Sequence, residues 1–376
     1  MLGYEAIEAA DSHNLTVVTG ECPTVGVAGA FTQGGGHSAL STAFGLAADQ
    51  TIAFEVITAS GDIFTASASE NEELYWALSG GGGGTFGVVT SLTVRAHPNL
   101  PVGGAGFLLL ASQTSSENFA AAASILSAHL PRMVEQGAMV VYSLRAQYLA
   151  VRSVLVWNST AEYVREVVMA PFVADVEELG IKLQVKYSTL SYRDHYENYL
   201  GPLPEGILPV GDHQGGGRLL PKATLQENSG AFSAVLSNIV ASGNVNAIIS
   251  VGDYSKRYPG LDNAVLPAWR DSIAQVNILA LFNASGPSST KDIHAAKDRI
   301  TEDYMPQLKA VTPSGAVYMN EADMNEPDWK RLFFGDNYSK LLEIKKKWDS
   351  DDLFYAYKGV GSDAWVVDKH GRMCRS

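Results

Sequence analysis

The residues best placed to do chemistry in this sequence are two glycine tracts and the side chains beside them. Residues 80–84 are five consecutive glycines, and Gly26-Val27-Ala28-Gly29 with Gly34-Gly35-Gly36-His37 repeats the device upstream. Backbone without side chains adopts positive φ and approaches a flat ligand or its phosphates closely. Two such tracts, well separated in the chain, are expected to converge on one extended ligand. For either tract alone, a flexible turn is the alternative.

Gly82, Gly84 and Gly87 also satisfy the spacing G-x-G-x-x-G. A dinucleotide fingerprint of that form needs a strand before it and a helix after it. The order here is reversed. Ser69-Glu70-Asn71-Glu72 fits a capping box, and Leu74 with Leu78 gives an apolar edge to a short helix that ends at Gly80. A β-branched alternating run over 88–94 follows, ended by His97-Pro98, and is expected to be a well-buried strand. No acidic residue lies near the ribose-binding offset, so the Rossmann reading is rejected.

Metal chemistry has little support. Cys22 and Cys374 cannot build a disulfide scaffold or a zinc site, and the eight histidines are scattered. Net charge is −13, which repels phosphate backbones and anionic lipid surfaces, so neither nucleic acid nor membrane is an expected partner. The longest apolar run, near 107–111, is strand-sized. With 376 residues, 46% hydrophobic and 18% charged, the chain is an ordinary globular protein long enough for two domains.

The elements that must position the glycines read as follows. Residues 15–19 are β-prone, and 20–36 are loop with one helical turn. Residues 51–58 and 63–67 flank a turn cluster and form a hairpin. From 101 to 312 helical stretches such as 117–130 alternate with strand-like runs such as 138–148 and 247–251, the texture of a second, α+β domain. Three prolines, Gly211 and Gly215-Gly216-Gly217 make an irregular segment over 202–217. Helices return at Trp329–Phe334 and 338–348, where Leu341, Ile344 and Trp348 share a face and Lys345-Lys346-Lys347 form a solvated helix end.

At this point the sequence carries a resemblance. Gly20-Glu21-Cys22-Pro23-Thr24-Val25-Gly26-Val27-Ala28-Gly29 and Gln33-Gly34-Gly35-Gly36-His37 are similar to the flavin-binding core of berberine bridge enzyme-like oxidases, of the vanillyl-alcohol-oxidase fold. Gly45-Leu46-Ala47-Ala48-Asp49, Leu74-Tyr75-Trp76-Ala77-Leu78 and the stretch from Tyr318-Met319-Asn320-Glu321-Ala322-Asp323 through Trp365 fit the same family.

The resemblance implies an α+β protein: a PCMH-type FAD-binding domain over 1–100, a substrate domain with an antiparallel sheet over 101–312, and a C-terminal segment over 313–376 that returns to the FAD domain. It implies FAD as cofactor, held by Cys22, Pro23, Thr24, Val25, Gly26, Ala28, Gly29, Gln33, Gly34, Gly35, Gly36 and His37 on the first tract. Gly82, Gly83, Phe86, Gly87, Val88 and Val89 complete the set on the second. Cys22 would bond covalently to the flavin ring, since a thiol can add to an electron-poor carbon; a buried free cysteine is the alternative. Val25 stands where a small residue favours oxidase behaviour. Tyr318 and Asn320 match a Tyr-x-Asn element in which a tyrosinate takes a substrate hydroxyl proton as hydride leaves; an ordinary strand aromatic is the alternative.

The implied activity is oxidation of an alcohol-bearing sugar or phenolic small molecule, with oxygen as acceptor and hydrogen peroxide as product. Family members begin with a further portion carrying a basic, histidine-containing loop, and nothing before Gly20 resembles it, so an N-terminally truncated chain is expected. Cys374 would then pair with a cysteine of the lost portion. A non-catalytic protein binding a carbohydrate or phenolic ligand is the second reading. Sequons at Asn14, Asn158, Asn283 and Asn337 point to secretion of the parent. Oligomeric state is open.

Overall fold

The computed structural model describes residues 1–206, 212–283, 289–368 and 370–376. Its first strands are β1 (Leu15–Thr16), β2 (Thr51–Ile57), β3 (Ile63–Ser67), β4 (Val88–Val94) and β5 (His97–Pro98). The expected hairpin is β2 against β3, with Ile57 opposite Ile63, and β4 adds antiparallel to the other side of β2. β4 corrects one expectation: as an edge strand it leaves Val88, Thr90, Ser91 and Thr93 exposed. His97-Pro98 pairs with β1, and only Leu15–Thr16 of the 15–19 run is strand.

The helix Glu72–Leu78 forms without the expected capping box. Asn71 is its N-cap in a left-handed conformation (φ 50°) with no side-chain cap bond, because its amide donates to the Thr65 carbonyl at 2.7 Å. Leu74, Tyr75, Trp76, Ala77 and Leu78 are all buried.

The second sheet has seven antiparallel strands: β6 (Val102–Leu110), β7 (Ala138–Arg145), β8 (Tyr148–Trp157), β9 (Lys186–Leu190), β10 (His213–Pro221), β11 (Val245–Val251) and β12 (Ser272–Leu281), ordered β10-β12-β11-β7-β8-β6-β9. Gly215, Gly216 and Gly217, expected in an irregular segment, lie within β10; residues 207–211 of that segment fall outside the described residues. Strand alternation gives the sheet two different faces. Val140, Tyr142 and Leu144 of β7, Ala247 and Ile249 of β11, and Val276 and Ile278 of β12 pack with the helices Ser116–Glu135 and Lys222–Ala241 in one core. Met139 and Val141 point the other way, into a core shared with Leu40, Leu46 and Ala47 of the N-terminal part and Ala316 and Tyr318 of the C-terminal part. The residues that alternate with the helix-facing set on β11 and β12, Ser250, Gln275 and Asn277, therefore lie on this second face.

Two buried ion pairs brace the structure, and the first joins distant segments directly. Arg270 binds Asp49 bidentately, 2.8 Å at each nitrogen, while Asn263 and the Leu46 N–H donate to the same carboxylate. Lys345 corrects the reading of the lysine run. Only Lys346 and Lys347 are exposed. Lys345 is buried, pairs with Asp349, and donates to the Thr85 and Phe354 carbonyls, both at 2.8 Å.

Sequons at Asn14 and Asn158 sit on exposed left-handed turns, whereas Asn337 spends its amide on the carbonyls of Ala264 and Val265. Cys374 is exposed on the terminal hairpin.

Arg270→Ala leaves the Asp49 carboxylate buried without its cation, which costs about 3–5 kcal/mol for a buried pair. The expected outcome is a fall of that size in unfolding free energy, read from the urea midpoint; a change below about 1 kcal/mol would mean the pair does not tie the parts together.

Candidate active site

The two glycine tracts meet. The Gly82 N–H donates to the Gln33 carbonyl at 2.8 Å, and a Cβ on Gly83 would fall 2.8 Å from the Ala30 Cα. A third segment closes on both. The Asn320 amide donates to the Ala30 carbonyl at 2.8 Å and to the Tyr318 hydroxyl at 2.7 Å, and a Cβ on Gly34 would fall 2.5 Å from that amide. Gly83 is therefore glycine because it meets the Ala30 backbone, and Gly34 and Gly82 because the Asn320 amide and the Met319 sulfur occupy the space a side chain would need.

The first tract has an open side. Thr24, Val25, Gly26 and Gly29 are exposed, and nothing lies within 4 Å of a Cβ built on Gly26 or Gly29. Val27 and Ala28 line a groove of about 400 Å³ with Val17, Val18, Leu92 and Val94. Gln33 donates to the Ala28 carbonyl at 2.9 Å, which leaves its buried Oε1 without a partner. Gly35 and Gly36 adopt positive φ, and their carbonyls accept from Ala48 and Ala47. Pro23 is buried and its carbonyl accepts from Tyr4.

The remaining expected residues divide differently. Phe86 is fully buried in a core with Leu78 and Leu341. Gly87 is crowded by Val56 and the Ile57 carbonyl, so packing of β2 accounts for it. Val88 and Val89 begin β4, which packs beside the turn Val27–Phe31.

Behind the tracts sits a charge cluster that the sequence reading passed over. His37 is buried between two carboxylates, with Nε2 2.8 Å from Glu321 and Nδ1 3.5 Å from Glu21. The far oxygen of Glu21 accepts from Ser250 at 3.0 Å, and that of Glu321 accepts from Gln275 at 3.1 Å. The rings of Trp269 and Tyr318 flank the imidazole at centroid distances of 6.0 and 5.5 Å, and Tyr254 abuts Trp269. Glu21 and Glu321 adjoin the Cys22 and Tyr318 motifs in sequence, and that adjacency was the available signal. Ser250 and Gln275 come from β11 and β12 of the distant sheet, Tyr254 and Trp269 from the connection between those strands, and these four had none.

Each titratable group feels its neighbours. Burial pulls the His37 pKa down, but Glu321 and Glu21 outweigh it and lift it from 6.5 to about 10. Burial alone would raise Glu321; His37 and the Gln275 amide reverse that and lower it. Cys22 is half-buried, and burial, then Glu21 and Glu321, push its thiol up to about 12. Burial and the Glu321 charge raise Tyr318 above the ordinary phenol range, against the donors Asn320 and the Gly36 N–H.

The arrangement fits a flat cofactor: an open, side-chain-free rim at Gly26 and Gly29, an apolar floor at Val27 and Ala28, and an unpartnered acceptor on Gln33. Comparison with known proteins agrees. A family model described as "Berberine and berberine like" matches residues 317–361. FAD-linked oxidoreductase ZEB1 of Gibberella zeae is 40% identical over 377 residues, covering 100% of this chain and 65% of that protein. FAD-linked oxidoreductase patO of Aspergillus clavatus is 39% identical over 374 residues, covering 99% of this chain and 64% of that protein. The crystal structure of the VAO-type flavoprotein MtVAO615 from Myceliophthora thermophila C1 superposes with a TM-score of 0.93 at 34% identity, covering 100% of this chain and 68% of that one.

Fold and site together define an α+β flavoprotein whose cofactor is FAD. The chain belongs to the berberine bridge enzyme-like, VAO-type family of FAD-linked proteins. It spans less than two thirds of the length of the ZEB1 and patO relatives, at 65% and 64%. No helix among the described residues is long and apolar enough to cross a membrane.

The cluster sets a pH dependence. His37 has a raised folded pKa, so its contribution to stability is complete below 6.5 and is lost as pH rises toward about 10. Glu321 has a depressed pKa, so its contribution is lost on the acid side, as pH falls through its lowered value from 4.5. We expect stability to decline between pH 6.5 and about 10, and His37→Gln to abolish most of that slope in urea titrations at each pH. An unchanged slope in the variant would show that His37 is not the group responsible.

Proposed function

We propose that this chain carries the substrate-facing part of an FAD-dependent oxidase that converts an alcohol-bearing small molecule, such as a sugar or phenolic alcohol, to the carbonyl compound. The observation that carries the reading is the meeting of Tyr318, Asn320, His37 and Glu321 directly behind the Cys22-to-Gly29 rim. Bound FAD supplies the acceptor for the hydride that leaves the carbinol carbon, and its reoxidation by oxygen yields hydrogen peroxide.

The chain's own residues supply the proton chemistry and the positioning. Cys22 to Gly26, Val27, Ala28 and Gln33 would hold the cofactor, with the Cys22 thiol placed to tether it. Tyr318 takes the substrate hydroxyl proton. Asn320 and the Gly36 N–H both donate to the phenol oxygen, which stabilises the phenolate form, and the cationic His37 beside it offsets the charge that develops. Glu21 and Glu321 keep His37 protonated. Because burial and Glu321 hold Tyr318 above the ordinary phenol range, turnover should increase with pH. Val25, small and exposed, leaves the rim open to oxygen. The exposed sequons at Asn14 and Asn158 support an extracellular location.

Tyr318→Phe removes the proton acceptor without touching the rim. Peroxide formation across a panel of sugars and aromatic alcohols, with FAD supplied, should drop about a hundredfold to ten-thousandfold, while flavin absorbance of the purified protein is unchanged. Retention of full activity would remove Tyr318 from the mechanism, and absence of peroxide from every alcohol with the parent chain would favour the non-catalytic reading. Denatured mass measurement should show a flavin adduct that Cys22→Ala eliminates; an adduct-free parent rules out the tether.

A further inference from the structure

Next to the proton-transfer group lies a cleft whose unspent chemistry has a definite sign. It holds about 340 Å³, room for one ring and its substituents, and runs from Asn320 and Glu321 along β10 and β12 to Lys297 on the helix Ser289–Arg299. Gly215, which lines it, carries no side chain where β10 passes β12: a Cβ there would fall 3.3 Å from Leu279 Cδ2 and 3.6 Å from Asn277 Oδ1.

The acidic groups that line the cleft are already committed. Glu321 is held by His37 and Gln275, and buried Asp323 accepts from Thr301 and from the Asn325 N–H. Asn320 spends its amide nitrogen on Ala30 and Tyr318. Burial lowers the His213 pKa, which favours the neutral ring at neutral pH. Two features stand out. Lys297 is half-buried, and among the described residues no carboxylate pairs with it, in a protein with 40 acidic residues. Asn277 turns its amide nitrogen toward the Glu321 carboxylate, which fixes the amide orientation and leaves its buried Oδ1 without a donor.

A cation and an unsatisfied acceptor in one cleft describe a complementary ligand. We propose that the alcohol oxidised at this site is a hydroxylated organic acid, whose carboxylate is held by Lys297, with Asn277 Oδ1 open to a second donor of the substrate while the reacting hydroxyl gives its proton to Tyr318. This rests on the reading of the site as an alcohol oxidase and narrows its substrate. Lys297 acts on binding alone, so its loss raises KM and leaves kcat in place.

The test uses para-hydroxymethylbenzoate and its neutral isostere para-hydroxymethylbenzamide, titrated calorimetrically into the full chain, with peroxide measured separately. The acid should bind about tenfold more tightly than the amide, the worth of one charge-assisted contact in a half-buried site. Lys297→Met should erase the preference, Lys297→Arg should restore it, and Tyr318→Phe should leave it intact. If the amide binds as well as the acid, if neither binds, or if Lys297→Met keeps the preference, the inference is overturned. If the acid preference depends on Lys297 but neither compound yields peroxide in a flavin-loaded protein, the assignment of Lys297 as a carboxylate-binding residue stands and the oxidase reading is what fails.

Discussion

One imidazole between two buried carboxylates governs the rest of the site. His37 takes Glu21 from the segment just upstream and Glu321 from a segment nearly three hundred residues away, so the chain must bring three separate stretches together to neutralise them. A buried carboxylate without a partner is costly enough that it would instead take up a proton. The cluster holds one cation against two anions. Its residual negative charge is spread over the Ser250 hydroxyl and the Gln275 amide, both on the sheet. The seven-stranded sheet is thus part of the electrostatic structure of the first glycine tract, and the cluster's charge adds to burial, the larger cause, in raising the thiol of Cys22 and the phenol of Tyr318.

Close backbone approach is the second constraint, and it explains most of the glycine content of the motifs. Glycines in such tracts invite the idea of a bare surface for a ligand. Gly34, Gly82 and Gly83 instead serve chain-to-chain contact, and Gly26 and Gly29 alone keep open space in front of them. The distinction matters for mutation. An added methyl at Gly83 displaces the Ala30 backbone, and through it the acceptor for Asn320, whereas the same methyl at Gly29 meets no protein atom at all.

How far the sequence could be read depended on whether the signal was local. The hairpin β2–β3 and the helices near 72–78 and 337–348 follow from spacing and turn chemistry within a few residues, and the convergence of the glycine tracts was legible because the same device is repeated in two places. The misreadings share a cause. Lys345 looks like its neighbours Lys346 and Lys347, yet it is buried because Thr85 and Phe354 offer carbonyls and Asp349 a counter-charge, and two of those partners come from the fold. β4 has the composition of a buried strand but ends up on a sheet edge. Gly215 to Gly217 look like loop because strands rarely tolerate three glycines, and they are tolerated on β10 because Glu321, Gln275 and Met305 fill the space their side chains would occupy. Glu21 and Glu321 stood beside recognised motifs, but a lone glutamate carries no periodicity, so only the meeting at His37 reveals them.

The C-terminal stretch holds the N-terminal motif by two unlike devices, and their division of labour follows from where each is buried. Tyr318, Asn320 and Glu321 reach the first tract through hydrogen bonds to Ala30 and His37 and between Asn320 and Tyr318 themselves. Lys345 and Asp349 reach the second tract through Thr85, one residue beyond the last of its five glycines, and touch none of the reacting groups. Glycines at positive φ, as at Gly80, Gly82 and Gly84, have the largest conformational freedom to lose, and a loop built from them needs an anchor at each end. The helix Glu72–Leu78 supplies one end and the buried lysine the other. Rigidity of the second tract is therefore imposed from outside it, by side chains that its own five glycines lack.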